Sequence, residues 1–81
     1  MTEITFSEIQ QFINTVENMK KSTPENMRAV VLLSLDADRT LRKMTTGSFN
    51  QTEDGTATFR GLPIIHVLAD GYINTAWEVE Q

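Results

Sequence analysis

Six apolar residues near the N-terminus recur at spacings of three and four, which places them along one side of a helix. They are Phe6, Ile9, Phe12, Ile13, Val16 and Met19. Thr5 and Glu8 form a capping-box pattern at the start, and two lysines follow at the end, where the helix dipole favours positive charge. The pattern predicts an amphipathic helix over about residues 6–21. Because only one side is apolar, the rest of the chain has to supply a surface that covers it.

The segment after this helix contains a compact apolar run, Arg28–Leu35, with a pair of valines. Such a run is typical of a strand that is buried on both faces. A helix here would be apolar nearly all round, which a chain of 81 residues has little material to cover. We therefore predict a turn at Pro24 and then a central strand. Thr23 and Pro24 also fit a helix start, so a single helix over residues 24–44 is the alternative.

The next segment predicts turns and two further strands. Asp36–Arg39 supplies turn-forming residues, and Thr40–Thr46 alternates weakly, as a second strand would. A polar stretch over Gly47–Gly55 ends in Asp-Gly, which is a strong hairpin signal. Thr56–Phe59 then alternates as a strand.

The C-terminal third predicts two more strands. Pro63 limits the strand after Gly61 to an edge of the sheet, or to a start at the proline itself. Asp70-Gly71 marks another turn, and Tyr72–Val79 alternates cleanly. The sequence thus predicts an α+β fold, in which one N-terminal helix packs on an antiparallel meander of four or five short strands. It predicts a single domain over residues 1–81.

Composition narrows the classes of function. Hydrophobic residues make up 40% of the chain, which is typical of a globular domain. There are no cysteines, so disulfides and thiolate zinc sites are excluded, and we predict no metal or cofactor. No stretch approaches the roughly 18–20 apolar residues of a membrane span, and the start does not resemble a secretory signal. These features predict a cytoplasmic protein without membrane contact.

One short segment resembles a catalytic motif. Leu33–Leu41 contains Asp-x-Asp-x-Thr-Leu after an apolar strand, which is similar to the first motif of haloacid dehalogenase-type phosphatases. The resemblance implies a nucleophile at Asp36, a general acid at Asp38 and magnesium nearby. The chain departs from that family, because only about forty residues follow the motif and Arg39 stands where glycine is common. We interpret both aspartates as turn residues, and keep a metal-dependent phosphate or small-ligand site as an alternative.

The only histidine, His66, gives no catalytic pattern by itself. Catalysis by histidine needs an orienting carboxylate and a nucleophile within hydrogen-bond reach. Asp70 and Ser48 are candidates, but their spacing does not require such an arrangement. We therefore interpret His66 as a half-buried structural residue and predict that the chain is not an enzyme.

A nucleic-acid site is a further alternative. Four basic residues would form a patch if the second and third predicted strands pair: Arg39, Arg42, Lys43 and Arg60. The chain carries eleven acidic and seven basic residues, a net charge of −4, and phosphate backbones repel such a protein. The charge therefore favours protein partners.

Apolar residues on both faces of so small a sheet indicate that one face meets a partner or a second copy. Tyr72 is the best surface candidate, because it lies on the face of the last strand opposite Trp77 and tyrosine is enriched at interfaces. We predict a partner-binding surface that includes Tyr72, Asn74, Arg42 and Arg60.

A C-terminal segment also resembles a family of proteins. Phe59–Ile65, with its Gly-x-Pro turn, is followed by Leu68–Ile73, with an Asp-Gly turn. This pattern of turns and short strands is similar to segments of small tailed-phage proteins and phage capsid proteins. The resemblance covers about twenty residues. It implies a phage or prophage origin and a role that is structural or directed at a host protein, in the host cytoplasm. The small size and acidity of the chain also fit inhibition of a host or defence protein.

Overall fold

The computed structural model describes residues 4–45 and 47–79, which form two helices and a five-stranded sheet. In chain order the elements are α1 (Phe6–Lys21), β1 (Met27–Leu33), α2 (Leu35–Met44), β2 (Phe49–Gln51), β3 (Ala57–Phe59), β4 (Leu62–His66) and β5 (Ile73–Val79). The α+β class and the N-terminal helix packed on a sheet are confirmed.

Helix α1 follows the predicted pattern. Thr5 caps it, since its Oγ1 accepts the N–H of Glu8 at 3.1 Å. Four members of the apolar stripe are buried in the core: Ile9, Phe12, Val16 and Met19. Phe6, at the first turn, is 64% exposed, so the buried part of the stripe begins one turn later than its sequence pattern suggests.

Strand β1 is central, as predicted, but the sheet is mixed. The strand order is β2-β3-β4-β1-β5. β1 pairs in parallel with β4 and antiparallel with β5. The predicted antiparallel meander is therefore limited to β2–β3–β4. The chain returns from β1 to β4 through α2 and the β2–β3 hairpin, and a connection of that length is what parallel neighbours require.

The predictions of a turn at Asp36–Arg39 and of a strand over Thr40–Thr46 are wrong. Residues 35–44 form helix α2, and Thr46 lies outside the described residues. Ser34 caps this helix and its buried residues fall on one side, Ala37, Asp38 and Leu41. The alternative of one helix over residues 24–44 is also wrong, because residues 27–33 form a strand.

Pro63 does not place β4 at an edge, because β4 lies between β3 and β1. Pro63 is the second residue of the strand, and β4 begins to pair with β1 only at the next residue, Ile64. On the other side, Pro63 faces Thr58, one pair beyond the hairpin-closing pair of Phe59 and Leu62. In a hairpin with a two-residue turn, the pair next to the turn is hydrogen-bonded and the following pair, here Thr58 and Pro63, is not. Neither β3 nor β1 therefore requires a hydrogen bond from the backbone N–H that proline lacks.

Two turns set the β2–β3–β4 hairpins. Asp54-Gly55 lies in the β2–β3 connection, as predicted, and Gly55 has a φ of +92°. The β3–β4 turn consists of Arg60 (φ +51°) and Gly61 (φ +94°). Positive φ at both central positions is the geometry that fits the right-handed twist of paired strands.

The core lies between the helices and one face of the sheet. Phe59 of β3 is fully buried there, with its ring centroid 5.3 Å from that of Phe12 and 5.0 Å from that of Phe49. Both helices contribute to the same cluster, α1 through its stripe and α2 through Ala37 and Leu41. On β1 the cluster takes alternate residues, Ala29, Val31 and Leu33.

Candidate interaction surface

The opposite face of the sheet has no helix over it within the described residues. Alternate residues of a strand point to opposite faces, so Arg28, Val30 and Leu32 of β1 point away from the core that both helices share. Paired residues share a face, and the register adds Ile65 of β4 and Ala76 of β5 to this side. We call this side the open face.

Apolar side chains occupy the centre of the open face in two rows. One row contains Ile65 of β4 and Leu32 of β1, and it ends at the polar Asn74 of β5. The next row contains Val30 of β1 and its partner Ala76 of β5. If the register between β1 and β4 is continued by one residue, Pro63 lies beside Val30 in this row. Val30 is only 2% exposed, whereas Ile65 is 39% exposed. The strip is therefore most exposed at Ile65, while Leu32 and Ala76 are partly buried.

Polar groups border this strip and carry little net charge. Arg28 and Glu78 are directly paired across β1 and β5, and Arg28 Nη2 lies 2.8 Å from Glu78 Oε2. The amide of Asn74 lies at the opposite end of the strip. An apolar centre with a polar border is the usual anatomy of a protein–protein interface.

Tyr72 and Asn74 lie together at the β5 edge, next to the open face. Asn74 Nδ2 donates to the hydroxyl of Tyr72 at 3.2 Å, and Asn74 Oδ1 accepts the N–H of Thr75 at 2.8 Å. Tyr72 is 37% exposed. These two predicted partner-binding residues thus form one hydrogen-bonded group with an accessible aromatic ring.

Ser34, which is fully buried, holds Tyr72 in position. Its Oγ accepts the N–H of Tyr72 at 3.1 Å and donates to Asp36 at 2.6 Å. Asp36 in turn accepts the N–H of Gly71 at 2.9 Å. The start of α2 therefore fixes the turn that leads into β5.

Arg42 and Arg60, the other two predicted partner-binding residues, do not join this group. Arg42 lies on α2, where it pairs with Asp38 and stands 4.3 Å from the centroid of the Phe49 ring. Arg60 lies in the β3–β4 turn and donates from Nε to Glu17 of α1 at 2.6 Å. Because both guanidinium groups are held by carboxylates, the charge of the predicted basic patch is partly neutralised.

Asp36 and Asp38 lie in the first turn of α2 rather than in an open turn, and they point to different partners. Asp36 bonds to Ser34 and Gly71, while Asp38 Oδ2 lies 2.6 Å from His66 Nε2. An open groove of about 500 Å³ lies between α2 and the β4–β5 loop, but neither Asp38 nor His66 lines it. Within residues 4–45 and 47–79, no group of three potential metal-ligating side chains occurs.

Asp38, His66 and Arg42 form one cluster of contacts between α2 and β4. Asp38 is nearly buried and joins α2 to the end of β4, while the side chain of His66 is 43% exposed. Burial raises the pKa of the Asp38 carboxyl, but the hydrogen bonds from His66 and Arg42 and the positive charge of Arg42 outweigh burial and hold that pKa below its usual value. The interpretation of His66 as a half-buried structural residue stays a prediction.

We expect Asp38→Asn to flatten the pH dependence of stability in acid. A carboxyl whose pKa is lowered by folding stabilises the protein above its unfolded-state value of about 3.9, and that contribution disappears as the pH falls through the folded-state pKa. Urea unfolding at several values between about pH 5 and pH 2 measures the slope. The control, Glu25→Gln at an exposed position, should follow the wild type. If the free energy of unfolding depends on pH equally in Asp38→Asn and wild type, folding does not lower the pKa of Asp38.

Sequence reasoning anticipated apolar residues on both sheet faces but did not identify Leu32 or Ile65 as surface residues. The sequence of β1 indicated an apolar second face, because its odd-numbered and even-numbered positions are both apolar from Ala29 to Leu33. Only the strand pairing shows which parity faces the helices.

Comparisons with protein-family models, with curated proteins and with solved structures give no match. Within the described residues, neither helix has the length and apolar character needed to cross a membrane. Any assignment of function therefore depends on the geometry of the chain itself.

Proposed function

We propose that this chain is a non-enzymatic protein-interaction domain that binds a protein partner through the open face. The observation that carries the proposal is the apolar strip that Leu32, Ile65 and Ala76 present to solvent, with Ile65 39% exposed and no described helix over it. Burial of such a strip against a partner is favourable by about 25 cal/mol for each Å² of apolar surface removed from water. Tyr72 and Asn74, at the border, supply an aromatic ring and hydrogen-bonding groups.

The chemistry of the open face specifies the partner. Its centre is apolar, and Arg28 and Glu78 at its border neutralise each other. A matching partner surface has an apolar centre and uncharged hydrogen-bonding groups around it. Binding should therefore depend weakly on salt, in contrast to the steep decrease that phosphate contacts produce.

The resemblance of residues 59–73 to phage proteins supports a more specific form of this proposal. In that form the chain is phage-encoded, acts in the host cytoplasm, and inhibits a host or defence protein or serves as a structural accessory. Its net charge of −4 is compatible with a protein target.

We expect Ile65→Lys to abolish partner capture. A lysine there places a charge in the centre of the apolar strip, and a change of this kind at an interface centre weakens binding about tenfold or more. Immobilised protein is incubated with bacterial lysate, and bound proteins are quantified by mass spectrometry. A partner of the open face is one that wild type retains and Ile65→Lys loses, with a dissociation constant that changes little between low and high salt.

The matched control is Leu68→Lys. Leu68 is fully exposed in the β4–β5 loop, away from the open face, so the same kind of charge is added elsewhere. Leu68→Lys should capture the partner as wild type does, and circular dichroism should show both variants folded. Equal capture by Ile65→Lys and wild type would refute the proposal.

A further inference from the structure

We propose that two copies of this chain pair antiparallel through the outer edges of β5, which joins their sheets into one. This surface is distinct from the open face, because it consists of backbone groups at the sheet edge. β5 has a partner, β1, on one side only within the described residues. At seven residues it is much longer than β2, the strand at the other edge, which has three.

The hydrogen bonds show which backbone groups of β5 face outward. The carbonyl of Tyr72 accepts the N–H of Ser34, so even-numbered residues direct their backbone groups to β1. The N–H of Thr75 is instead bonded to the Asn74 side chain, which places odd-numbered residues on the outer side. Ile73, Thr75, Trp77 and Val79 thus present a ladder of backbone groups along the free edge.

Apart from the Asn74 side chain, which is bonded to the N–H of Thr75, this edge lacks the usual protection against pairing. Long edge strands are normally shielded by proline, lysine, a bulge or a covering segment. Residues 73–79 contain no proline or lysine, and their seven register pairs with β1 run without a bulge. Their one charged residue, Glu78, is neutralised by Arg28 of β1.

The edge is also complementary to itself. A two-fold axis through Ala76, perpendicular to the sheet, pairs all seven residues and keeps the helices of both copies on the same side. Ile73 then faces Val79 of the second copy, and Thr75 faces Trp77 of the second copy. Val79 is 65% exposed and Trp77 is 38% exposed in the single chain, so pairing covers apolar surface that the fold leaves open.

Asn74 limits the strength of this pairing. In the single chain its Oδ1 accepts a hydrogen bond from the N–H of Thr75. That bond has to break before the N–H can donate to a second strand. The same register places Asn74 opposite Glu78 of the second copy, where its amide donates to that carboxylate. An interface of one strand edge belongs to the small, weak class, so we expect a dissociation constant between about 1 μM and 1 mM.

A cysteine at Ala76 tests the register directly, since the chain has no cysteine of its own. Ala76 would face its own copy in a pair without mutual hydrogen bonds, where the Cα atoms lie about 4.5 Å apart, within disulfide range. Ala76→Cys should form a disulfide-linked dimer under mild oxidation. Ile65→Cys is the control, because that residue is accessible on the same face but two strands from the edge. Equal cross-linking of the two variants would overturn the proposal.

Sedimentation equilibrium tests the role of the backbone. Wild type should approach twice its 9.2 kDa mass at high concentration. Thr75→Pro removes an outward N–H that β1 does not use and should remain monomeric, whereas Thr75→Val keeps that N–H and should dimerise. Ile65→Lys should also dimerise, which separates this proposal from the open-face site. A monomeric wild type, or a Thr75→Pro variant that dimerises as wild type does, would disprove edge pairing.

Discussion

Phe59→Ala should lower the free energy of unfolding by about 3–5 kcal/mol, the range for removal of a buried aromatic ring. Phe59 is fully buried, and its ring contacts those of Phe12 on α1 and Phe49 on β2. A chain of this length has a total stability of about 4–12 kcal/mol. The substitution therefore removes a large fraction of the total stability and should move the urea midpoint well below that of the wild type. Urea unfolding followed by circular dichroism measures the change.

Phe6→Ala is the matched control for this substitution. It removes the same side chain, but Phe6 is 64% exposed at the start of α1. Surface substitutions of this kind change stability by about 0.5 kcal/mol or less. Similar losses for the two variants would mean that α1 does not pack on the sheet through Phe12 and Phe59.

The sequence predicted α1 and β1 well because their patterns are long and strong. The α1 stripe repeats over four turns, and the β1 run has no polar residue between Ala29 and Leu33. In both elements local preference and burial favour the same structure, which makes a pattern informative.

Helix α2 was missed because its pattern is short and ambiguous. Asp36 and Asp38 are common in turns, but acidic residues are also favourable in the first turn of a helix. The side of α2 that faces the core carries only Ala37 and Leu41 as buried apolar residues. The sequence of a ten-residue helix with so few apolar residues is therefore hard to distinguish from that of a loop followed by a weak strand.

The contact between Asp38 and His66 could not be predicted from spacing. The two residues are 28 positions apart and meet only because α2 is a helix and β4 lies beside β1. Parallel pairing of β1 and β4 has no local sequence signal, since it depends on where the β2–β3 hairpin returns the chain. For the same reason, the separation of Arg42 and Arg60 from Tyr72 and Asn74 became evident only from the fold.

Ser34→Ala should lower the free energy of unfolding by about 2–4 kcal/mol, a large effect for the loss of one hydroxyl. Ser34 caps α2, where replacement by alanine costs about 1 kcal/mol. Its Oγ also accepts the partly buried N–H of Tyr72, and a donor left without a partner there costs up to about 1–3 kcal/mol more. Urea unfolding measures the total, and hydrogen exchange at the Tyr72 amide measures the loss of that bond.

Thr5→Ala removes the corresponding cap of α1 and separates these two contributions. Thr5 is exposed and bonds only to its own helix, through the N–H of Glu8. Its loss should cost about 1 kcal/mol and leave exchange at Tyr72 unchanged. Because Tyr72 borders the open face, Ser34→Ala should also weaken partner capture, whereas Thr5→Ala should not. Equal destabilisation by the two variants would show that the bond from Ser34 to the β5 turn contributes nothing to stability.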